Sequence, residues 1–213
     1  MFILDICQAT LTKVGQRPRV RWPPNTEYDE RFIAPAFKGA CTSVMFWGAV
    51  AYGYHSPLVA IRKRTRLERT HAKDRLGFNA IQYCQEILGP HLVPLLRRVS
   101  SSIESLEVIE DGAPCHTAKM TRQYRLQQGI RRIPWPASSP DLNLIENIWG
   151  LLKGNLRRQW RNPCKRPHNQ QELIVAAGVT WDDLPWNRIY GWYHIMPVRV
   201  LTVIRRGGRS TRW

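Results

Sequence analysis

The segment LEVIEDGAPCHTAKMTRQYRLQQGIRRIPW (residues 106–135) indicates the fold class most directly. Residues 106–109 form a short apolar run typical of a buried strand, and residues 111–114 (DGAP) are typical of a turn. The pattern then predicts a basic helix over residues 117–128 and a second strand over residues 130–135. With the helix that follows, this order predicts an α/β fold in which helices flank a sheet.

Three other stretches favour helices. Residues 78–96 roughly follow helical spacing, although Gly89 and Pro90 are expected to kink or divide that helix. A further helix is predicted near residues 170–178. Between these two, apolar residues form a single helical stripe of Ile145, Ile148, Trp149, Leu152 and Leu156.

The first part of the chain predicts strands. Residues 1–9 are interpreted as a strand, and residues 43–54 (SVMFWGAVAYGY) as a buried strand that leads into a turn, with residues 57–61 returning as a hairpin. Residues 13–38 predict an extended loop, and residues 199–213 a basic tail. The length favours a single domain over residues 1–213.

Charge indicates the class of partner. The chain has 32 Lys and Arg against 16 Asp and Glu, a formal charge of +16 and a pI near 10.3. This excess is expected of a protein that binds nucleic acid. An ordinary basic surface or contact with an anionic membrane are the alternatives.

The spacing of the cysteines and the length of the apolar runs indicate the cellular compartment of the protein. No C-x-x-C pair occurs, which argues against a zinc site and a disulfide framework, and no apolar stretch approaches the roughly 18 residues of a membrane span. We expect a soluble, intracellular protein with reduced thiols at Cys7, Cys41, Cys84, Cys115 and Cys164.

Three carboxylates stand where an α/β sheet can gather them. Asp5 lies within the first strand, Asp111 follows a later strand, and Glu146 lies in the first turn of a helix. Clustered carboxylate oxygens suit Mg²⁺, and two such ions can stabilise the attacking and leaving oxygens of a phosphodiester. We therefore hypothesise a two-metal site for phosphoryl transfer.

Each of these positions also has a structural interpretation. Asn143-x-x-Glu146 is an acceptable capping box at a helix start. Asp111, followed by Gly112, fits a turn in which the aspartate side chain bonds the local backbone. The residues alone leave both alternatives open.

Aromatic and basic residues suggest DNA contacts to different degrees. Trp47, Trp135 and Trp149 lie in apolar runs and are better explained as core residues than as platforms for bases. A basic group after the 145–156 stripe is a candidate for phosphate contact, with a solvated surface as the alternative; it comprises Arg157, Arg158, Arg161, Lys165 and Arg166.

Two blocks, VIEDGAPCHTAK (108–119) and WPASSPDLNLIENIWGLLK (135–153), closely resemble the paired motifs of mariner-like transposases, whose catalytic core is ribonuclease-H-like with a mixed central sheet. Asp111 and Glu146 are separated by 34 residues, as in the branch that ends in Glu. The resemblance extends through FKGACTSVMFWGAVAYG (37–53) and MPVRVLTVIRRGGRST (196–211).

This resemblance implies an activity. Asp5, Asp111 and Glu146 would hold two divalent metals, Mg²⁺ by default and Mn²⁺ as a substitute, for DNA nicking and then attack of the freed 3′-hydroxyl on target DNA. The partners implied are DNA and a second copy of the chain contacted through residues 13–38, in the nucleus, with no organic cofactor and no small-molecule substrate. His116 matches a histidine common in relatives, and we assign it no catalytic role.

The sequence also departs from the family. Relatives carry an upstream region with two helix-turn-helix units, whereas this chain begins four residues before Asp5. Ile6 replaces a common Glu, and Leu144 replaces a common Pro. The alternative is therefore a truncated, inactive remnant that binds nucleic acid, and a third hypothesis is a protein-interaction scaffold.

Overall fold

The computed structural model describes residues 2–11, 42–62, 64, 77–100, 107–136, 139, 141–209 and 211, with the backbone alone for residues 2–11, 42, 99 and 100. The loop predicted over residues 13–38, together with its proposed contact to a second copy, lies outside the described residues.

The described strands form one mixed sheet with the order β3-β2-β1-β5-β6, and β4 also pairs with β2. β2 is antiparallel to β1, β3 and β4, whereas β1 and β6 both run parallel to β5. The predicted mixed sheet is thus confirmed. The strands are β1 (Phe2–Leu11), β2 (Thr42–Ala51), β3 (Tyr54–His55), β4 (Val59–Ile61), β5 (Glu107–Ile109) and β6 (Arg131–Arg132).

The hairpin predicted from residues 43–61 is confirmed, but its returning strand is divided into β3 and β4. Gly53, with φ of 75°, lies in the turn, where a left-handed backbone favours glycine. Ser56 then interrupts the ladder, because its Oγ accepts a hydrogen bond from the Ala49 N–H at 2.9 Å and donates to the Pro57 carbonyl at 2.8 Å.

One long helical segment covers residues 80–100, comprising α1 (Ala80–Gln82), a π-helical stretch (Tyr83–Leu92) and α2 (Val93–Ser100). Gly89 and Pro90 were expected to kink or divide the helix; both lie inside the π-helical stretch, so the helix is not divided there. Proline has no N–H, so the helical ladder lacks one hydrogen bond at Pro90 although the helix continues.

The segment 106–135 folds largely as predicted. β5 is followed by α3 (Pro114–Thr117) and α4 (Lys119–Gln127), and Gly129, with φ of 68°, follows the helix end. The helical region begins earlier than expected because Pro114 suits the first helical position. The predicted strand over residues 130–135 shortens to β6, as prolines 134 and 136 cannot donate to a ladder.

The C-terminal part is helical: α5 (Leu144–Gln159), a 3₁₀ turn (Pro163–Lys165), α6 (Gln170–Asp182), α7 (Trp186–Gly191), a second 3₁₀ turn (Trp192–Ile195) and α8 (Met196–Arg205). The basic tail predicted over residues 199–213 is therefore wrong for residues 199–205, which continue a helix started by Met196 and Pro197. None of the described helices is both long and apolar enough to cross a membrane.

The sheet is packed on both faces. Val44 and Phe46 of β2 belong to a buried cluster with α5 and α6, whereas Trp47 and Ala49 belong to a cluster with the helical segment 80–100. Alternate residues of a strand face opposite sides, so β2 supplies both layers. This arrangement confirms helices on both sides of a sheet.

Two of the three tryptophans singled out in the sequence are fully buried, since Trp47 is 0% and Trp149 1% exposed, and Trp135 is partly buried against the α5 cluster. Gly48 permits the close approach of the helices: a Cβ there would lie 3.1 Å from Trp149 and 3.0 Å from Trp181.

Candidate catalytic carboxylates

Asp5 and Asp111 each lie two residues after a pair of matched positions on the parallel strands β1 and β5. β1 and β5 are in register with Ile3 beside Ile109, and each acid comes two residues later in its own chain segment. The backbone therefore brings residues 5 and 111 to the same level of the sheet, beyond the carboxyl end of β5.

The Asp111 carboxylate is fixed through one oxygen. Its Oδ1 accepts hydrogen bonds from the Ala113 N–H at 2.9 Å and from His116 Nδ1 at 2.5 Å. The first of these bonds closes the turn, so the structural interpretation of Asp111 is also correct. The His116 bond outweighs partial burial and holds the pKa of Asp111 below its usual range. The side chain is 45% exposed, and no described residue donates to Oδ2.

His116 orients Asp111 from the protein interior. Its side chain is 1% exposed, and its ring lies 4.6 Å from that of Tyr83. Burial disfavours the charged ring, but the hydrogen bond with Asp111 and the nearby Glu110 outweigh it and raise the pKa of His116 to about 10. The helical start at Pro114 brings residue 116 back towards residue 111.

Glu110, a fully buried carboxylate beside Asp111, was not predicted from the sequence. Glu110 accepts hydrogen bonds from the Tyr83 hydroxyl at 2.6 Å and from Arg125 Nη1. Arg125, which lies on the predicted basic helix, is buried, and its Nη2 donates to the His116 carbonyl at 3.0 Å. The signal in the sequence was an acid that directly follows an apolar strand, with Arg125 on the buried stripe of α4.

Arg132 on β6 stabilises the main chain that follows β5. Its Nη2 donates to the carbonyls of Glu110 and Asp111, each at 3.1 Å, and its Nε lies 3.5 Å from the Glu110 carboxylate. The main chain before and at Asp111 is thus held from the neighbouring strand.

Glu146 is exposed in the first turn of α5, and the capping box is not formed there. The Asn143 side chain makes no cap hydrogen bond, and its Oδ1 is buried with no partner among the described residues. The Glu146 N–H bonds the Asn143 main-chain carbonyl at 3.1 Å. Helix formation therefore leaves the Glu146 carboxylate unused.

The helix that carries Glu146 lies over the strand that carries Asp5. α5 contacts β1, and Leu144 and Ile145 are buried in the cluster between α5 and the sheet. Within the side chains that the structure describes, no three His, Cys, Asp or Glu residues form a metal-ligand group. The side chain of Asp5 is outside that set. Mg²⁺ and Mn²⁺ prefer hard oxygen ligands. The oxygens of this type are Asp111 Oδ2, the Glu146 carboxylate and Asn143 Oδ1, which has no described hydrogen-bond partner.

The predicted phosphate-binding group is mostly solvent-accessible. Arg166 is half-buried, and its Nε donates to the Trp160 carbonyl at 2.7 Å, which gives it a structural role. The other four members are exposed: Arg157, Arg158, Arg161 and Lys165.

Comparison with known proteins identifies the family. Residues 59–166, just over half of the chain, match the DDE superfamily endonuclease family. Asp111 and Glu146 lie within the matched region, and Asp5 precedes it.

Curated relatives are transposases. The chain is 28% identical to the Tc3 transposase of Caenorhabditis elegans over 171 residues, which cover 80% of this chain and 46% of that protein. It is 25% identical to the Tc1 transposase of the same organism over 194 residues, 91% of this chain and 63% of that protein. The chain thus spans about half to two thirds of the length of these relatives.

Solved structures share the fold. The catalytic domain of Mos1 mariner transposase matches with a TM-score of 0.66 and 14% identity, over 99% of this chain and 84% of that one. The Mos1 paired-end complex with Mg matches with a TM-score of 0.67 and 16% identity, over 99% of this chain and 56% of that one. The expected ribonuclease-H-like fold is confirmed. The chain belongs to the DDE superfamily of endonucleases, in its mariner-like branch.

Proposed function

We propose that this chain is the catalytic part of a DNA transposase, which hydrolyses a phosphodiester and then joins the freed 3′-hydroxyl to target DNA. The observation that carries the proposal is the common level of Asp5 and Asp111 on parallel strands, with Glu146 left exposed on a helix packed over β1. Family membership and the transposase relatives support it.

Asp5, Asp111 and Glu146 would hold two divalent cations. Mos1 structures include the catalytic domain with Mn and with Mg, which supports the same metals here. When bound, such ions activate water and stabilise charge on the attacking and leaving oxygens.

The chain's own residues prepare this site. His116 and the Ala113 N–H fix one oxygen of Asp111 and keep the carboxylate ionised, so that Oδ2 is available as a ligand. Arg132 and the buried Glu110 hold the strand end that carries Asp111. Burial of Leu144 and Ile145 orients the first turn of α5, and Glu146 extends from its exposed side.

The exposed basic group would contact DNA phosphates. Arg157 is eleven residues beyond Glu146 on α5, which corresponds to about 17 Å along a helix. A duplex that reaches the carboxylates could therefore pass the basic end of the same helix. The net charge of +16 favours such binding. The same proposal includes pairing with a second copy of the chain, which the Mos1 paired-end complexes support. It also includes a nuclear location.

Nicking of supercoiled plasmid with Mg²⁺ or Mn²⁺ tests the activity. Asp111→Asn and Glu146→Gln should each reduce the rate roughly a thousandfold, because loss of a metal ligand removes several kcal/mol of transition-state stabilisation. Glu172→Gln is the matched control, since Glu172 occupies the first turn of α6 and caps that helix, and it should leave nicking unchanged.

The result that contradicts the proposal is nicking that survives both substitutions, or no nicking by the unaltered protein. Salt-sensitive DNA binding without cleavage would then identify a non-catalytic nucleic-acid-binding remnant.

A further inference from the structure

Helix α8 buries a charge and exposes apolar residues, the reverse of an ordinary surface helix. Its buried residues are Met196 and Arg199, whereas Val198, Leu201 and Ile204 are 52%, 51% and 66% exposed. Burial of a guanidinium is costly unless its donors are satisfied. The inward face of α8 is therefore suited to a specific polar contact.

That contact is with the start of α5. Arg199 Nη1 donates to the main-chain carbonyl of Asp141 at 3.1 Å and to the Asn147 side-chain oxygen at 2.9 Å. Asp141 precedes the helix and Asn147 directly follows Glu146. One guanidinium nitrogen thus joins both sides of the turn that carries Glu146.

The residues after α8 add a second tie to the same place. Gly207 and Gly208 have φ of 62° and 79°, left-handed values that reverse the chain beyond the helix. The N–H and the hydroxyl of Thr211 then both donate to Asp141 Oδ2 at 2.8 Å. Asp141 is therefore held through its carbonyl by Arg199 and through its carboxylate by Thr211.

We propose that Arg199 is a positioning residue for Glu146: it fixes the first turn of α5 from the buried side and so sets where the exposed carboxylate stands. The inference rests on the proposed function for the role of Glu146 as a metal ligand. The order of the turn itself does not depend on that role. Apolar burial of Leu144 and Ile145 fixes the depth of the turn, and the directional bonds of Arg199 fix its rotation.

The test compares Arg199→Met, Arg199→Lys and the control Arg205→Met, which changes an exposed arginine of the same helix. Amide hydrogen exchange in the metal-free protein reports the order of the turn. In Arg199→Met, amides of residues 146–149 should exchange at least about tenfold faster, and those of residues 153–156 less than about twofold faster. Arg199→Lys should restore part of the protection, and the control should match the unaltered protein.

Metal binding is measured separately, as the rise of Tm with Mn²⁺ concentration. Arg199→Met should need about tenfold more Mn²⁺ for the same rise, the usual effect of removing a residue that orients a ligand. Unchanged exchange at residues 146–149 would overturn the proposal. Faster exchange with an unchanged Mn²⁺ response would also overturn it, because Arg199 would then be merely structural.

The two proposals fail in different ways. If the unaltered protein shows no rise of Tm with Mn²⁺, the proposed metal site fails. The exchange data then still decide whether Arg199 orders the turn. Equal exchange in Arg199→Met and Arg205→Met would show that it does not.

Discussion

Two helices of this protein begin with the same pattern, Asn-x-x-Glu, and use it differently. At α6, Asn169 Oδ1 accepts from the Glu172 N–H at 2.9 Å, and Glu172 accepts in return from the His168 N–H at 2.6 Å. At α5, Asn143 makes no cap bond with its side chain, and the Glu146 carboxylate is exposed. The pattern permits a capping box, and the surroundings decide whether it forms.

Burial explains the difference. Asn169 is exposed with φ of −139° and ψ of 176°, an extended backbone from which the side chain reaches the helix start. Asn143 is 5% exposed with ψ of 99°, held in the packed approach to α5. The structural role is lost at α5, and the carboxylate remains available for another one.

The two neighbouring carboxylates that follow β5 repeat this contrast. Glu110 faces the interior, where Tyr83 and Arg125 use its oxygens, whereas Asp111 keeps one oxygen without a described donor. Carboxylates committed to the fold should affect stability when altered, and carboxylates left available should affect function.

The largest stability effect is expected at the buried pair. Arg125→Met leaves the Glu110 carboxylate buried with too few donors, which should lower the free energy of unfolding by about 3–5 kcal/mol. The control is Arg131→Met, which removes an exposed pair with Glu107 at 3.3 Å and should cost less than about 1 kcal/mol. Urea unfolding measures both, and equal small losses would mean that Glu110 is not committed to the fold.

A smaller effect separates the two helix starts. Asn169→Ala removes a working cap and should cost about 1 kcal/mol. Asn143→Ala should cost little or stabilise the protein, because it removes a buried amide oxygen that has no described partner. Equal losses in urea unfolding would show that Asn143 caps α5 in solution.

The sequence predicted most elements, because strands and amphipathic helices follow from periodicity alone. The hairpin around Gly53, the helix end at Gly129 and the apolar stripe of α5 are examples. It did not predict the π-helical form of Tyr83–Leu92, since π-helical turns have no distinct pattern. The extension of α8 through Arg199 was missed because basic residues were interpreted as a tail.

For the site, the sequence predicted the three acidic residues but not the side chains that hold them in place. The order of strands and helices predicted that Asp5 and Asp111 would approach each other, and the register of β1 and β5 agrees. Their role as metal ligands stays a prediction. Glu110 and Arg125 form an ion pair although they are fifteen residues apart in the chain, and no local sequence pattern predicts such a pair. Such pairs depend on tertiary packing, which here brings Arg125 of α4 to the residue that follows β5.

A pH-dependent effect concerns the charge of His116. The pKa of His116 is raised to about 10, so its stabilising contribution is complete below the unfolded value of 6.5 and decreases as pH rises towards 10. The pKa of Asp111 is lowered, so its contribution is present above 3.8 and lost as pH falls further. The stability difference between the unaltered protein and His116→Asn should therefore be largest between pH 4 and 6.5.

Unfolding followed at several pH values measures this difference, and the loss of packing in the variant is common to all of them. A difference that stays constant from pH 6 to 9.5 would mean that His116 is neutral in the fold. Its Nε2 is buried without a described partner, which favours that form, whereas the short contact with Asp111 favours the charged one. In either form Nδ1 donates to Asp111, so the orientation of the carboxylate survives both outcomes and only its electrostatic support changes.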